Sequence, residues 1–368
     1  MPKSTLHLAA LLSIIACGGD ASTASITTDV ATVDPLATSA SVVMRDLDSP
    51  RGLAWGPEGG LYVVEAGNTT VTGLCATVAR GQNCYSGTGA VSRLWHGSQE
   101  RVAAGLPSAF NAATNDIIGP HDISFVGVAH VTIGWGGDPA ARAGLGDLGT
   151  GFGTVLEVRP SGGWRIAADV SAYEAANNPA AGTFDSNPYG VLTEPGRTFV
   201  ADAGGNALME VRANADVSLV ATFAMIPVPS GPFNPPFVQA QPVPTEVSRG
   251  PDGALYVSLL TGVPFLPGAA GIYRVVPGQA PEEYAGGLTA ITDFDWGPDG
   301  SLYLVEYATA PFLGGPGALI RIAPDGARTT ITTDLFHPTG VLAAPDGAVY
   351  VSNNGNLAGV GEVLRIVP

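Results

Sequence analysis

The feature that most constrains this chain is a short unit that returns at a fixed interval. Gly250-Pro-Asp-Gly-Ala-Leu-Tyr-Val257 recurs as Gly297-Pro-Asp-Gly-Ser-Leu-Tyr-Leu304 and as Ala344-Pro-Asp-Gly-Ala-Val-Tyr-Val351, with the prolines 47 residues apart. Gly56-Pro-Glu-Gly-Gly-Leu-Tyr-Val63 is an earlier copy, Glu194-Pro-Gly-Arg-Thr-Phe-Val200 a shortened one, and Ser124-Phe-Val-Gly-Val-Ala-His-Val131 a degenerate one. Each unit reads as a hairpin. Proline sets φ at the first turn position, Asp bonds to nearby backbone, and Gly accepts a positive φ. A second, weaker hairpin follows, as in Leu319–Ile331 and Val155–Ile166. Two hairpins per unit make a four-stranded blade, and such units in series make a β-propeller.

Six first hairpins, near residues 50, 119, 187, 244, 291 and 338, predict an all-β, six-bladed propeller over residues 41–368. The last unit supplies only three strands before the sequence stops at Pro368, and Ser41–Leu47 is available at the front as the fourth. Pairing it with the C-terminal blade closes the ring and removes the exposed edge that invites aggregation.

Composition narrows the function classes. The net charge is −16, charged residues are 13 %, and the only lysine is Lys3. Recognition of a phosphate backbone is therefore excluded, and with it a nucleic-acid partner. Gly144–Gly149 matches a dinucleotide fingerprint in its glycines, but no helix is expected to follow it.

The segments Pro50-Arg-Gly-Leu-Ala-Trp-Gly-Pro57, Gly119-Pro-His-Asp-Ile-Ser-Phe125, Asp185-Ser-Asn-Pro-Tyr-Gly190, Ala201-Asp-Ala-Gly-Gly-Asn206 and Val351-Ser-Asn-Asn-Gly355 resemble the ScyD/ScyE family over about residues 42–367. The resemblance implies an exported, NHL-like propeller of unassigned molecular activity.

In such a ring every long connection falls on one face, where binding usually resides. The repeat places Arg51, His121, Tyr189, Thr245, Thr292 and Thr339 where innermost strands enter, with Glu65, Asp202, Glu306 and Asn353 near the ends of second strands. Asp122, Asp185, Asn187 and Asp293 lie beside them. Two readings compete. An oxygen-rich set suits a hard cation such as Ca²⁺, with Glu65, Asp202 and Glu306 as its ligands and a resemblance to calcium-dependent six-bladed lactonases and hydrolases. Alternatively, Asp and Asn at strand ends cap turns through bonds to backbone. His121 is a weak candidate for a catalytic base, and equally a residue bonded to backbone. The leading expectation is a non-catalytic module that holds a small molecule, a glycan or a protein on the long-loop face. The alternative is a metal-dependent hydrolase or lactonase at the channel mouth.

Cys75 and Cys84 close a short loop and read as a disulfide outside the cytoplasm, with a zinc pair as the alternative. Residues 1–16 have the form of a signal peptide, and Ile14-Ile15-Ala16-Cys17 resembles a lipobox, with an ordinary secretory signal as the other reading. Lipidation of Cys17 with residues 18–40 as a tether gives a membrane-anchored lipoprotein facing the periplasm or cell exterior. The expected outcome is that Cys17→Ser moves the protein from the membrane to the soluble fraction on cell fractionation; unchanged membrane association would overturn it.

Overall fold

The computed structural model describes residues 39–229 and 237–368. The chain is all-β, and its strands form seven four-stranded sheets and one two-stranded sheet. Six of the seven run in chain order, and five of these are numbered here as sheets 1 to 5. Sheet 1 takes Pro50–Trp55, Leu61–Glu65, Gly89–Trp95 and Ser98–Leu106; sheet 2 takes Pro120–Val126, Val128–Ile133, Thr154–Val158 and Trp164–Asp169. Sheet 3 takes Pro188–Glu194, Arg197–Asp202, Ala207–Arg212 and Val217–Thr222. Sheet 4 takes Pro244–Arg249, Leu255–Leu259, Ala270–Val275 and Glu282–Leu288; sheet 5 takes Ile291–Trp296, Leu302–Glu306, Gly317–Ile322 and Arg328–Leu335.

Sheet 6 joins the two ends of the described chain. Gly340–Ala343, Val349–Asn353 and Gly361–Val367 are completed by Ser39–Leu47, which lies antiparallel to the C-terminal strand with Ser39 opposite Val367 and Leu47 opposite Gly361. The pairing begins two residues ahead of the Ser41 read from the sequence. The first strands of sheets 1 to 6 touch one another in order, and that of sheet 6 touches that of sheet 1.

The repeated turns obey their chemistry. Gly59, Gly253, Gly300 and Gly347 all have φ between 76° and 85°. The amides of Gly253, Gly300 and Gly347 bond back to Gly250, Gly297 and Ala344 at 2.9–3.0 Å. The turn aspartates Asp252, Asp299 and Asp346 accept from the amide two residues on. Apolar side chains between neighbouring sheets then form the core: Tyr256, Leu288, Phe294 and Leu304 pack at the boundary of sheets 4 and 5.

Five of the long connections carry structure of their own. Cys75–Val78, Gly81–Tyr85, Ala109–Asn111 and Asp116–Ile118 pair into an accessory sheet. The sequence hides it because its strands have only three to five residues each, and come from two separate links. Cys75 and Cys84 face each other across it and are disulfide-bonded, so the zinc alternative falls away. Pro139–Gly151 is 3₁₀-helical and contains the Gly144–Gly149 glycines, while Val170–Asn177 is a short α-helix capped by Asp169. Ile226–Pro229 pairs with Phe237–Ala240 as the two-stranded sheet.

Met44 and Leu47 on the N-terminal strand are fully buried, whereas Val42 is exposed. Leu47→Ala is expected to destabilise the fold by about 2–5 kcal/mol, as large-to-small core changes do. Val42→Ala should stay within about 0.5 kcal/mol. Equal midpoints for the two variants in chemical denaturation would show that the N-terminal strand is not part of the core.

Candidate functional site

The innermost strands place their side chains in layers. Residues at the start of several inner strands reach the neighbouring sheet: Thr245 Oγ1 donates to the Ile291 carbonyl at 2.9 Å, Thr292 Oγ1 to Pro338 at 3.0 Å, and Thr339 Oγ1, just ahead of Gly340–Ala343, to Pro50 at 2.6 Å. His121 does the same, with Nδ1 3.1 Å from the Pro188 carbonyl. A carbonyl only accepts, so Nδ1 carries the proton and Nε2 keeps its lone pair. Burial, and then the nearby Arg51 charge, push the His121 pKa down to about 3, so the ring is neutral at physiological pH. It lies against Tyr189 with ring centroids 4.4 Å apart.

This layer floors a cavity of about 770 Å³ on the long-loop side. Of the residues read from the sequence, Arg51, His121, Asp185, Asn187, Tyr189, Thr245 and Thr292 line it. Arg80, Asp116 and Tyr307 line it too and escaped the repeat reading, because Arg80 and Asp116 belong to the accessory sheet's connections. Burial pushes the Tyr189 hydroxyl up to about 12 and raises Tyr307 as well, so both act as neutral hydrogen-bonding groups. Val243, Leu260, Val263, Phe265 and Leu313 form the apolar part of the wall.

One residue further along, three of the inner strands carry acids, Asp122, Glu246 and Asp293, and Asp295 follows two residues after Asp293. These four face a smaller cavity of about 270 Å³. Burial pushes Asp122 up to about 7 and Asp295 to about 6, and raises Glu246 and Asp293 well above the usual carboxylate range. Their mutual repulsion adds to this, so the group holds protons. Three of them also join sheets: Asp122 Oδ2 accepts from the Val191 amide at 2.7 Å, Asp293 Oδ2 from Val341 at 2.8 Å, and Asp295 Oδ2 from Ala343 at 2.9 Å. Glycines make the room: a Cβ at residue 52 would lie 2.0 Å from Asp122 Oδ1, and one at residue 190 would lie 2.6 Å from Glu246 Cα. Glu246 could have been found by aligning Pro244-Thr-Glu246 with Ile291-Thr-Asp293.

Glu65, Asp202, Glu306 and Asn353 do not line the cavity. They are buried and hold the segments that enter the inner strands. Glu65 accepts from the Asp48 amide and pairs with Arg101. Asp202 accepts from the amides of Asn187, Gly204 and Gly205 and from Ser186 Oγ. Glu306 takes the Thr289 amide, and Asn353 the Phe336 amide. Each is occupied within its own sheet, so Glu65, Asp202 and Glu306 are not gathered around a common point. Among the described residues no group of three or more His, Cys, Asp or Glu is arranged to hold a metal ion. The three carboxylates do not fit a shared Ca²⁺, and the turn-capping reading describes them.

No family profile matches the chain, and no curated protein matches it. Among solved structures it resembles the PQQ-bound aldose sugar dehydrogenase from Streptomyces coelicolor, with TM-score 0.52 and 12 % identity over 90 % of this chain and 98 % of that one. It also resembles a protein of unknown function from Bacteroides thetaiotaomicron, with TM-score 0.51 and 12 % identity over 90 % and 76 % of the two chains. A putative gluconolactonase gives TM-score 0.50 and 11 % identity over 90 % and 93 %. Likeness at such identities concerns the fold, and its neighbours are β-propeller proteins of the gluconolactonase and sugar-dehydrogenase kind.

The proton-holding layer has a pH consequence. Unfolded carboxyls release their protons near pH 4, whereas Asp122 and Asp295 hold theirs to about 7 and 6. The folded state thus binds more protons, and its stability falls as pH rises from about 4 to about 7, by on the order of 1.4 kcal/mol per pH unit for each such group. Denaturant unfolding should give a higher midpoint at pH 5 than at pH 8, with a smaller difference in Asp293→Asn. A midpoint that rises with pH over this range would overturn the assignment.

Proposed function

We propose that this chain is an exported, lipid-anchored six-bladed propeller of the ScyD/ScyE type that takes a small organic molecule into the cavity on its long-loop face. The observation that carries the binding reading is the cavity itself: about 770 Å³, floored by the inner strands of sheets 1 to 5 and walled by polar groups on one part and apolar groups on another. That volume suits a ligand of drug or metabolite size. Counting sheets 1 to 6 as blades leaves the accessory sheet and the two-stranded sheet as additions to the loops, and the cyclic order of contacts between inner strands supports this count. The disulfide between Cys75 and Cys84 is compatible with export. Among the described residues no helix is long and apolar enough to cross a membrane. Anchoring therefore rests on Cys17, which lies outside the described residues.

A second reading is hydrolysis of a lactone or ester, and one observation favours it. His121 lines the cavity with its Nδ1 proton held by Pro188, which leaves Nε2 able to accept a proton from water or a hydroxyl. Structures titled as a putative gluconolactonase and as sugar dehydrogenases share the fold, which supports a catalytic use without assigning one. The imidazole is a weak base chiefly because it is buried, and the Arg51 charge beside it weakens it further.

A panel of lactones, their hydrolysed acids and simple sugars separates these readings. At least one member is expected to raise the melting temperature of the wild type. Gln241→Trp, which fills the cavity from an exposed position in its wall, should abolish that shift. Turnover that is lost in His121→Asn would establish hydrolysis; a shift without turnover supports binding alone. No shift with any member would count against the cavity as the site.

A further inference from the structure

Arg51 is a buried cation whose positive charge is not balanced locally. It is 6 % exposed, its Nη2 donates to the Ile117 carbonyl at 3.1 Å, and its Nε has no partner. A guanidinium cannot shed its proton, and burying a charge without a counter-charge is costly. Among the described residues Arg51 forms no ion pair. Arg80, the second guanidinium in the wall, bonds to the Gly136 carbonyl at 3.3 Å and also forms no ion pair. His121 is neutral, and Tyr189 and Tyr307 keep their protons. The wall holds two guanidiniums and two carboxylates; the Arg80 charge acts on Asp185, and Arg51 is left as the buried cation with no ion pair and an unpartnered Nε.

The opposite part of the wall is of another kind. Sheets 4 and 5 contribute Val243, Leu260, Phe265 and Leu313. Outside them, Val263 is 66 % exposed and Phe312 73 % exposed, and the Phe312 amide bonds to the Pro264 carbonyl at 3.1 Å, which ties the two loops together. Arg51, His121 and Tyr189 belong to sheets 1 to 3, so the cationic and apolar parts come from different arcs of the ring.

From this division we infer that the cavity selects an amphiphilic monoanion: a carboxylate or comparable group on Arg51, and an apolar body against Leu260, Phe265 and Leu313. The inference rests on the binding reading above and adds the ligand's class to it. Arg51 supplies a charge-assisted pair to the anion, in a setting shielded from water where such bonds are strong. Asp116 and Asp185 oppose a second negative charge. An anion on Arg51 also offsets the lesser of the two effects that depress His121, the greater being burial.

The test titrates the full chain by calorimetry with two acids, decanoate and 2-naphthaleneacetate, and with their neutral amides. At least one acid is expected to bind about tenfold or more tightly than its amide, the range of a hydrogen bond to a charged group. In Arg51→Gln that preference should vanish while the amide's affinity is unchanged. In Leu313→Asn, at a position whose φ of 57° Asn tolerates, acid and amide should weaken together. The acid-to-amide comparison needs only the wild type, so it stands even if Arg51→Gln folds poorly. Acids and amides binding equally, or a preference that survives in Arg51→Gln, would overturn the anion assignment and leave the cavity as a site. No binding by any of the four compounds, with Leu313→Asn indistinguishable from wild type, would overturn the binding reading as well.

Discussion

The arrangement depends on one repeated interaction: a side chain at the start of an inner strand donating to the backbone of the next sheet. Thr245, Thr292 and Thr339 make this bond with a hydroxyl and His121 with an imidazole. Strands that start a sheet have one unsatisfied backbone edge, and buried polar groups need partners. Side chains bridging from sheet to sheet satisfy those groups without merging the sheets into one. At the junction of the two chain ends the same logic uses Thr339 to Pro50, Ser352 to the Arg51 carbonyl, and Trp55 Nε1 to the Ala343 carbonyl.

That constraint explains why the ring is rich in candidate residues and sparing with free ones. Most of the hydroxyl and carboxyl groups near the axis are occupied by the fold. Asp202 alone holds three amides and a hydroxyl. The residues with capacity to spare are those where the pattern breaks: Arg51, which turns to the accessory sheet at Ile117 instead of to the next inner strand, and Asp185, whose Oδ1 has no partner. Ligand chemistry is concentrated at the breaks because the regular positions are already bonded.

The carboxyl layer beneath the cavity shows how packing and electrostatics act on one another. Gly52 and Gly190 let neighbouring strands approach Asp122 and Glu246 closely, and burial raises both acids. The acids keep protons as a result, and the net charge of −16 is less concentrated at the axis than the sequence suggests. Glu246 and Asp293 are raised well above the usual carboxylate range, while Asp122 at about 7 and Asp295 at about 6 still carry charge near pH 7, so the layer beneath Arg51 is only partly neutralised.

The sequence by itself determined the strand-rich class, the hairpin turns and the pairing of the chain's two ends. Those depend on local rules, namely the φ of Pro and Gly, the period of apolar residues, and a strand missing at one end and present at the other. It also placed Arg51, His121, Tyr189, Thr245 and Thr292 at the cavity, because equivalent positions in a repeat share a location. Only the tertiary structure decided which of these are free. Glu65, Asp202 and Glu306 look like ligands in a list of acids, yet each accepts an amide from the segment that leads into its own sheet's inner strand. The accessory sheet, Arg80 and the apolar arc at Phe265 and Leu313 were decided there too. They lie in links outside the repeat, where no periodicity marks a residue's surroundings and only contact between remote segments gives it a role.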